Sequence, residues 1–378
     1  MHPIVIVGSG LAGYTLLKEI RKRDAATPVT LVTSDDGAFY SKPNLSNAFA
    51  TNRTAAALAS ASAEKMAADQ NATVLTHTRV TAIDTQGQRI RTDTGELEYS
   101  KLVLALGADP FAHGLAGDGA VDVLTVNDLA DYAAFRSALD GKQRVTVLGG
   151  GLIGCEFAND LAHAGFKVEV VHLGEWPLER LLPVEAGQRL ADSLAALGVN
   201  WHFGRTGKSV ARTVGGYRVE LDNAEVVEAD VVLSAIGLKP RTQLAQAAGI
   251  TVGRGIQTNG MLETSAANVY AMGDCAEVEG LNLPYVQPLM VQARALAATL
   301  TGTPTPVIYP PMPVMVKTPA HPVAVLPPRI GAAGSWKVDC FDGGVCALHL
   351  DASGRMQGFA LTGSETARRN TLAKELAA

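Results

Sequence analysis

The chain has 378 residues, of which 47% are hydrophobic and 18% charged, and its formal net charge is −5. This composition excludes disordered and fibrous proteins, and the length suggests two or three domains. The acidic balance, without a long basic run, argues against a nucleic-acid partner, because phosphate contacts need clustered Lys and Arg.

The N-terminus runs directly into an apolar strand. The stretch "MHPIVIVGSG" has no charged n-region, extended apolar region or cleavage site of a targeting segment. No apolar run is long enough to cross a bilayer. We therefore expect a cytoplasmic protein without a membrane partner.

The first predicted unit is a strand, a glycine loop and a helix in "IVIVGSGLAGYTLLKEI", with the pattern Gly8-x-Gly10-x-x-Gly13. This is the βα unit that binds a dinucleotide, with the pyrophosphate at the helix N-terminus. The next strand, "PVTLVTSDD", ends about 20 residues after the loop, where a carboxylate should meet the ribose hydroxyls. Asp35 is the first candidate for that carboxylate and Asp36 the second.

The stretch "FYSKPNLSNAF" follows and contains Lys42 and Pro43 but no cysteine. Lys42 is either a functional cation or a surface lysine whose stem covers apolar neighbours. Further on, "KLVLALGADP" predicts an apolar strand that ends at Gly107, where a glycine lets the backbone approach a dinucleotide.

The stretch "RVTVLGGGLIGCEFANDLAHAGFKVEVVHLGE" repeats the unit, with Gly149-x-Gly151-x-x-Gly154 as its loop. Two such units indicate two bound dinucleotides. The second strand ends near His172, which is either a ribose contact or a surface residue, and Glu175 follows. No arginine stands there to clamp a 2′-phosphate, which favours NADH over NADPH.

Two later stretches complete the pattern. "ADVVLSAIGLKPRT" predicts a strand ending near Gly237, and "TSAANVYAMGDCAE" predicts a strand that runs into Gly273 and Asp274 at the start of a helix. Asp274 could bond a polyol beside a helix N-terminus that faces a pyrophosphate, or it could be a simple N-cap. From about Pro310 onward, proline-punctuated strands, a meander and a closing helix predict a small α+β unit.

The four cysteines are Cys155, Cys275, Cys340 and Cys346, and their spacing gives no zinc or other metal site. We expect thiols, with Cys340 and Cys346 as a reduced pair although they are the one candidate for a bridge. Cys155 lies in the first turn of a predicted helix, where a packing thiol is favoured over a reactive one.

Five of these motifs, "GSGLAG", "LVLALGADP", "GGGLIGCE", "AIGLKPRT" and "YAMGDCAE", span most of the chain. Together they resemble the FAD-dependent pyridine nucleotide-disulfide oxidoreductases, which include glutathione reductase and ferredoxin reductases. Within that family, "YSKPNLSN", "LPYVQPL" and "MPVMVKTP" are similar to rubredoxin and flavorubredoxin reductases.

The resemblance implies an α/β fold with two Rossmann-like dinucleotide-binding domains, glutathione-reductase-like, and a small α+β C-terminal domain. Residues 1–112 and 243–309 would form a discontinuous FAD domain, 113–242 the NAD(P)H domain, and 310–378 the C-terminal domain.

The resemblance also implies the site residues. FAD would be bound, non-covalently, by Gly8, Gly10, Leu11, Ala12, Gly13, Asp35, Lys42, Pro43, Val80, Ala105, Gly107, Gly273, Asp274, Gln287 and Lys317. NADH would be bound by Gly149, Gly151, Leu152, Ile153, Gly154, Glu156, His172, Glu175 and Gly237. Lys42 near the flavin ring and Lys317 near its pyrimidine end would be catalytic, while Glu156 would either anchor the nicotinamide region or pair within its helix.

Disulfide-reducing relatives carry redox cysteines after the first ribose-binding strand or in the NADH domain, and this sequence has neither arrangement. The resemblance therefore implies hydride transfer from NADH to FAD, then single electrons to rubredoxin or a similar small iron carrier, with alkane hydroxylation as a pathway it could feed. Flavorubredoxin and [2Fe–2S] ferredoxin are alternative acceptors. A non-enzymatic, NADH-sensing flavoprotein is the alternative of a different class.

Overall fold

The computed structural model describes residues 2–329 and 331–377. Contacts divide the chain into two compact units. The first contains the chain up to Lys42 together with Ala56–Asp109 and Leu238–Tyr309, and the second contains Pro43–Ala55, Pro110–Gly237 and the chain from Pro310 onward.

The first unit is built on a five-stranded parallel sheet. In spatial order its strands are Val269–Ala271, Lys101–Leu104, Ile4–Val7, Val29–Val32 and Thr73–Leu75. The central strand is buried along its whole length, as expected for a parallel sheet that is covered on both faces. Its hydrophobic run, "IVIV", therefore has no polar alternation.

Helices and small sheets surround this parallel sheet. The helices of the first unit are Leu11–Arg23, Ala63–Asp69, Gln243–Ala247 and Val286–Leu300, and Ala55–Leu58 begins at the boundary of the unit. Three antiparallel strands are Val80–Asp84, Arg89–Thr92 and Glu96–Glu98. Short strand pairs are Phe39–Tyr40 with Ala59–Ala61, Ile256–Thr258 with Ala276–Val278, and Ala108–Pro110 with Leu238–Pro240.

The second unit repeats the parallel arrangement with four strands. In spatial order they are Val199–Phe203, Lys167–His172, Arg144–Leu148 and Val231–Ser234. An antiparallel sheet of Gly207–Arg212, Tyr217–Leu221 and Val226–Ala229 accompanies them. The helices are Leu129–Ala138, Leu152–His163 and Val184–Ala196, with a short 3₁₀ turn at Ala120–Asp122.

The C-terminal part of the second unit is a five-stranded antiparallel sheet. Its strands, in spatial order, are Val314–Val316, Val323–Leu326, Met356–Thr362, Gly344–Leu350 and Ser335–Phe341. A 3₁₀ segment, Gly363–Arg368, leads into the closing helix Arg369–Ala377. The meander and closing helix expected from the sequence are present.

The predicted domain boundaries remain predictions, and the contact grouping differs from them in two long segments, apart from shifts of a few residues at 110–112 and 238–242. Residues of the C-terminal sheet, such as Val325 and Ala347, belong to the same hydrophobic cluster as Val145 and Leu190, so the sheet groups with the second dinucleotide unit. The segment Pro43–Ala55, which was expected in the FAD domain, also groups with the second unit.

Aromatic and polar contacts explain why Pro43–Ala55 groups as it does. The Phe49 ring meets the Phe166 ring edge to face, with centroids 5.2 Å apart, and the Arg136 guanidinium lies 4.8 Å from the centroid of Phe49. The Tyr132 hydroxyl donates to the Arg53 carbonyl over 2.9 Å. The segment thus has its own set of partners in the second unit.

Cys340 and Cys346 lie on neighbouring antiparallel strands but not opposite each other. Cys340 pairs with Val345, and Cys346 pairs with Asp339. Because side chains alternate along a strand, the two thiols point to opposite faces of the sheet. Both are free, and their placement on opposite faces agrees with two separate thiols.

Within the described ranges, 2–329 and 331–377, no helix combines the length and apolar character needed to span a bilayer.

Candidate functional site

The first glycine loop is shaped by close backbone contacts. Gly8 has φ +115°, and a Cβ there would lie 2.3 Å from the Ala105 carbonyl oxygen. A Cβ on Gly13 would lie 1.9 Å from the Gly8 carbonyl oxygen, whereas one on Gly10 would meet nothing within 4 Å. The first and third glycines are therefore required by packing, and the second leaves open space for a ligand.

Two helix starts lie next to Gly273. Helix Leu11–Arg23 begins after Gly10 with no side-chain cap and no acidic residue in its first turn, and helix Val286–Leu300 begins in the same way. A Cβ on Gly273 would lie 2.9 Å from the Ala12 Cβ and 3.9 Å from Leu289, so the first turns of both helices adjoin Gly273. Uncapped N–H groups from two helices suit a pyrophosphate.

Asp35 is tied to the loop, as expected for the ribose carboxylate. Its Oδ1 accepts bonds from Ser9 Oγ (3.1 Å), Thr33 Oγ1 (2.6 Å) and the Gly37 N–H (2.9 Å). The three bonds use one carboxylate oxygen only. Asp36 is also exposed, but its carboxylate accepts the Ala38 N–H within its own turn. The geometry therefore favours Asp35 over Asp36.

Four other predicted FAD residues, Val80, Ala105, Gly107 and Gln287, belong to the first unit. The His77 N–H donates to the Asp35 carbonyl, which brings the segment before Val80 beside Asp35. Gly107, with φ +71°, follows the strand that ends beside the first loop. Gln287 is exposed in the first turn of helix Val286–Leu300. The Ala105 carbonyl packs directly against Gly8.

Asp274 does not begin a helix, and the sequence-based expectation on that point was wrong. A 3₁₀ turn, Gly273–Cys275, is followed at once by the strand Ala276–Val278. Burial raises the pKa of Asp274, and the positive charge of Lys42 opposes that increase. The simple N-cap interpretation is excluded, since the nearest long helix begins only at Val286.

Gln292 is a residue that sequence reasoning missed. It is 2% exposed, its Oε1 accepts the Gly273 N–H over 2.7 Å, and its Nε2 donates to the Tyr309 hydroxyl over 2.7 Å. It therefore fixes the Gly273–Asp274 turn to helix Val286–Leu300. A polar residue on the apolar face of that helix was the signal in the sequence.

The second glycine loop has the same construction. Gly149 has φ +106°, and a Cβ there would lie 2.6 Å from the Ala235 carbonyl oxygen. A Cβ on Gly154 would lie 1.8 Å from the Gly149 carbonyl oxygen, while one on Gly151 would meet nothing within 4 Å. Helix Leu152–His163 begins after Gly151 without a side-chain cap.

The residues around the second loop differ in exposure. Ile153 is 42% exposed in the first turn of its helix, which is unusual for a large apolar side chain. Gly237 has φ +114° and follows the strand Val231–Ser234. Glu175 is exposed in the segment after the strand that ends at His172, and its N–H donates to the Glu179 carboxylate.

Glu156 is buried at 4% exposure and bonds to other segments of the second unit, not within its own helix. Its Oε2 lies 2.9 Å from Lys317 Nζ and accepts a 2.5 Å bond from Ser46 Oγ. Its Oε1 accepts the Lys317 N–H over 2.9 Å. The Lys317 ammonium also donates to the Pro43 carbonyl and lies 3.3 Å from Ser46 Oγ. We call Ser46, Glu156 and Lys317 the lysine cluster.

Two more polar residues on helix Leu152–His163 hold neighbouring backbone. Asp160 accepts the Phe49 N–H at 2.8 Å and the Ala50 N–H at 3.2 Å, and Asn159 accepts the Ala320 N–H at 3.1 Å. Sequence reasoning missed both residues and Ser46. The spacing of Glu156, Asn159 and Asp160 puts them on one helix face, which was the available signal.

The thiols of Cys155 and Cys275 are poorly suited to a redox relay. Cys155 and Cys275 are fully buried. Burial raises the pKa of the Cys155 thiol, and it raises the pKa of Cys275 to about 11. Within residues 2–329 and 331–377 no cluster of His, Cys, Asp and Glu could hold a metal ion.

The geometry defines a class: an oxidoreductase with two glycine-loop units, each of which can hold one dinucleotide. Residues 2–297 match the family described as pyridine nucleotide-disulphide oxidoreductase. The chain belongs to that family. Residues 306–376 match a second family, described as rubredoxin binding C-terminal domain.

Similar proteins cover the whole chain. A rubredoxin-NAD(+) reductase of Alcanivorax borkumensis is 50% identical over 100% of this chain and 99% of its own length. One from Acinetobacter baylyi is 45% identical over 99% of this chain and 98% of its own length. A solved structure of a ferredoxin reductase from Rhodopseudomonas palustris matches with a TM-score of 0.90 and 25% identity, covering 100% of this chain and 96% of that chain.

Proposed function

We propose that the protein is an FAD-dependent NADH:rubredoxin oxidoreductase. It takes a hydride from NADH and delivers electrons singly to rubredoxin. The observation that carries the proposal is the combination, in one chain, of two dinucleotide loops with a segment, 306–376, that matches a rubredoxin-binding domain.

FAD fits the first unit. We assign Gly8, Gly10 and Gly13 to the loop that receives it, Asp35 to a ribose, and the helix starts beside Gly273 to the pyrophosphate; the open space at Gly10, the bonds of Asp35 to the loop and the uncapped helix starts support this. When bound, the flavin supplies the chemistry that the side chains lack, because it accepts two electrons together and gives them up one at a time.

NADH is assigned to the second loop, Gly149 to Gly154, whose open position at Gly151 mirrors Gly10 of the first. Glu175 is the exposed carboxylate nearest in sequence to the end of the ribose-binding strand. We assign it to the adenosine ribose, where its charge disfavours the 2′-phosphate of NADPH.

Two lysines carry the positive charge that we assign to the flavin. Lys42 acts beside Asp274 in the first unit, and Lys317 is held by Glu156 and Ser46 in the second. A fixed cation favours the more anionic, reduced form of a bound redox group. Cys155 and Cys275 are fully buried, so we assign neither thiol to a relay.

The charge of the C-terminal segment suits the proposed electron acceptor. Segment 306–376 contains seven Lys and Arg and five Asp and Glu, a net charge of +2, whereas the whole chain carries −5. A locally basic surface in an acidic protein suits a small acidic iron carrier and speeds its encounter. We place this electron transfer in the cytoplasm, where it would supply a carrier-dependent reaction such as alkane hydroxylation.

The test uses the purified yellow holoprotein with NADH and, in separate reactions, rubredoxin, flavorubredoxin and a [2Fe–2S] ferredoxin. The expected result is the highest kcat/KM with rubredoxin. Free FAD at the same concentration is the control. Reduction of rubredoxin no faster than with free FAD would refute the enzyme proposal, and a preference for another carrier would replace the acceptor.

A further inference from the structure

His172 ends the second strand of the NADH unit and is bonded to the glycine loop. The Gly150 N–H donates to His172 Nδ1 over 3.1 Å, and His172 Nε2 lies 3.1 Å from the Trp176 carbonyl oxygen. A backbone N–H can only donate and a carbonyl can only accept, so Nδ1 is bare and Nε2 carries the proton. The imidazole is neutral in this arrangement.

The same ring also fits tightly against the loop. A Cβ on Gly150 would lie 2.9 Å from His172 Cγ, so the ring occupies the space beside this glycine. The Gly150 carbonyl is bonded as well, since the Leu178 N–H donates to it over 3.0 Å. Both backbone groups of Gly150 are thus held, one by the last residue of the strand and the other by the segment that follows it.

We propose that His172 is a positioning residue for NADH: its neutral imidazole holds Gly150, and so keeps the loop from Gly149 to Gly154 in the shape that receives the pyrophosphate. The proposal rests on the assignment of NADH to this loop. It also changes the role predicted from the sequence, because both ring nitrogens are engaged by backbone groups and neither points a free atom at a ribose.

Protonation would break this arrangement, because Nδ1–H would then face the Gly150 N–H. Burial lowers the pKa of His172, the nearby Arg180 lowers it further, and Glu179 and the bond to Trp176 oppose the change. Just after the neighbouring strand, Val199–Phe203, the Arg205 N–H donates to the His172 carbonyl.

The protonation state of His172 makes NADH binding depend on pH. Because its pKa is lowered, His172 in the folded protein is still neutral near the ordinary histidine value of about 6.5, and its hold on Gly150 is lost as the pH falls through that lowered pKa. NADH binding should therefore weaken on acidification. If one proton competes with binding, the Kd should rise by up to about tenfold per pH unit below the pKa of His172.

The test measures ADP-ribose binding to the FAD-loaded enzyme by calorimetry between about pH 4.5 and 8, a range that extends well below the ordinary histidine pKa of about 6.5. ADP-ribose is stable in acid and keeps the pyrophosphate. Two variants separate the ring nitrogens: His172→Asn puts an amide oxygen at the position of Nδ1, whereas His172→Gln extends to the position of Nε2 and loses the Nδ1 acceptor.

The expected result is that His172→Asn binds ADP-ribose within about threefold of wild type, without the loss at low pH. His172→Gln should bind at least about tenfold more weakly at every pH, as for one lost hydrogen bond to a ligand-binding loop. A ¹⁵N spectrum of the wild type should also show His172 as the Nε2–H tautomer, with the Asn variant supplying the assignment.

Equal affinities for the two variants, or a wild-type Kd that does not change with pH, would overturn the role of His172 while leaving NADH at this loop. If wild-type protein binds no ADP-ribose at any pH, the assignment of the loop itself fails. Should His172→Gln not retain FAD and native circular dichroism, the comparison of His172→Asn with wild type across pH still decides the question.

Discussion

Replacing Lys317 with Met should destabilise the second unit through the lysine cluster. The Glu156 side chain is only 5% exposed, and Lys317 Nζ, at 35% side-chain exposure, is its cationic partner at 2.9 Å. Methionine keeps much of the aliphatic stem of lysine but removes the ammonium. The buried carboxylate would then lack a counter-charge.

The size of the effect can be bounded from the contacts. Removing one partner of a buried ion pair costs about 3–5 kcal/mol. Here the carboxylate would keep the Lys317 N–H and the Ser46 hydroxyl, so we expect about 2–3 kcal/mol. Glu156→Gln should cost less, about 1–2 kcal/mol, because the lysine left behind is one-third exposed and can reach water.

The assay is urea unfolding followed by tryptophan fluorescence, because all three tryptophans, Trp176, Trp201 and Trp336, belong to the second unit. Lys337→Met, an exposed lysine of the same unit, is the matched control and should change the unfolding free energy by less than about 0.5 kcal/mol. A Lys317→Met variant as stable as that control, or one less perturbed than Glu156→Gln, would refute the reasoning.

Three further predictions concern other parts of the site. Gly13→Ala should lose FAD on purification, because its Cβ would lie 1.9 Å from the Gly8 carbonyl oxygen. The control Gly215→Ala, whose Cβ would meet nothing within 4 Å, should stay yellow. A Gly13→Ala protein with full flavin absorbance would contradict this prediction. Lys42→Ala should keep FAD but slow its reduction by NADH or shift its potential, and unchanged rapid-mixing kinetics together with an unchanged potential would remove Lys42 from the mechanism. Burial raises the pKa of Asp160, so its contribution to stability falls as the pH rises above the pKa of about 4 that it has in the unfolded chain. Asp160→Asn should flatten that part of the curve of unfolding free energy against pH. A curve of unchanged slope would count against this role of Asp160.

Much of the fold followed from local pattern. Each glycine loop lies between a short apolar strand and an amphipathic helix, and the physical requirement is local: the first and third glycines have no space for a Cβ. The meander at the C-terminus was also visible, because short strand-like runs are separated by glycine-containing turns and the run Ser335–Phe341 alternates polar and apolar residues. These features need only neighbours in sequence, so sequence reasoning found them.

The site was predicted less completely. Asp35 and the glycines were identified from spacing, but Ser46 bonds to a carboxylate 110 residues away, and Lys317 bonds to that same carboxylate across 161 residues. No local periodicity reports such pairs. The prediction of a helix at Asp274 was wrong because an Asp after a glycine suits both a helix start and a 3₁₀ turn, so local sequence does not distinguish them.

The sequence by itself determined that this protein has two dinucleotide loops, a small antiparallel tail and no redox cysteine after its first ribose-binding strand, since each is a matter of residue type at fixed spacing. The tertiary structure alone decided that Pro43–Ala55 groups with the second unit, that Glu156 pairs with Lys317, and that His172 holds Gly150. Those outcomes depend on which buried polar groups meet, because a buried carboxylate or imidazole must find partners wherever the folded chain provides them.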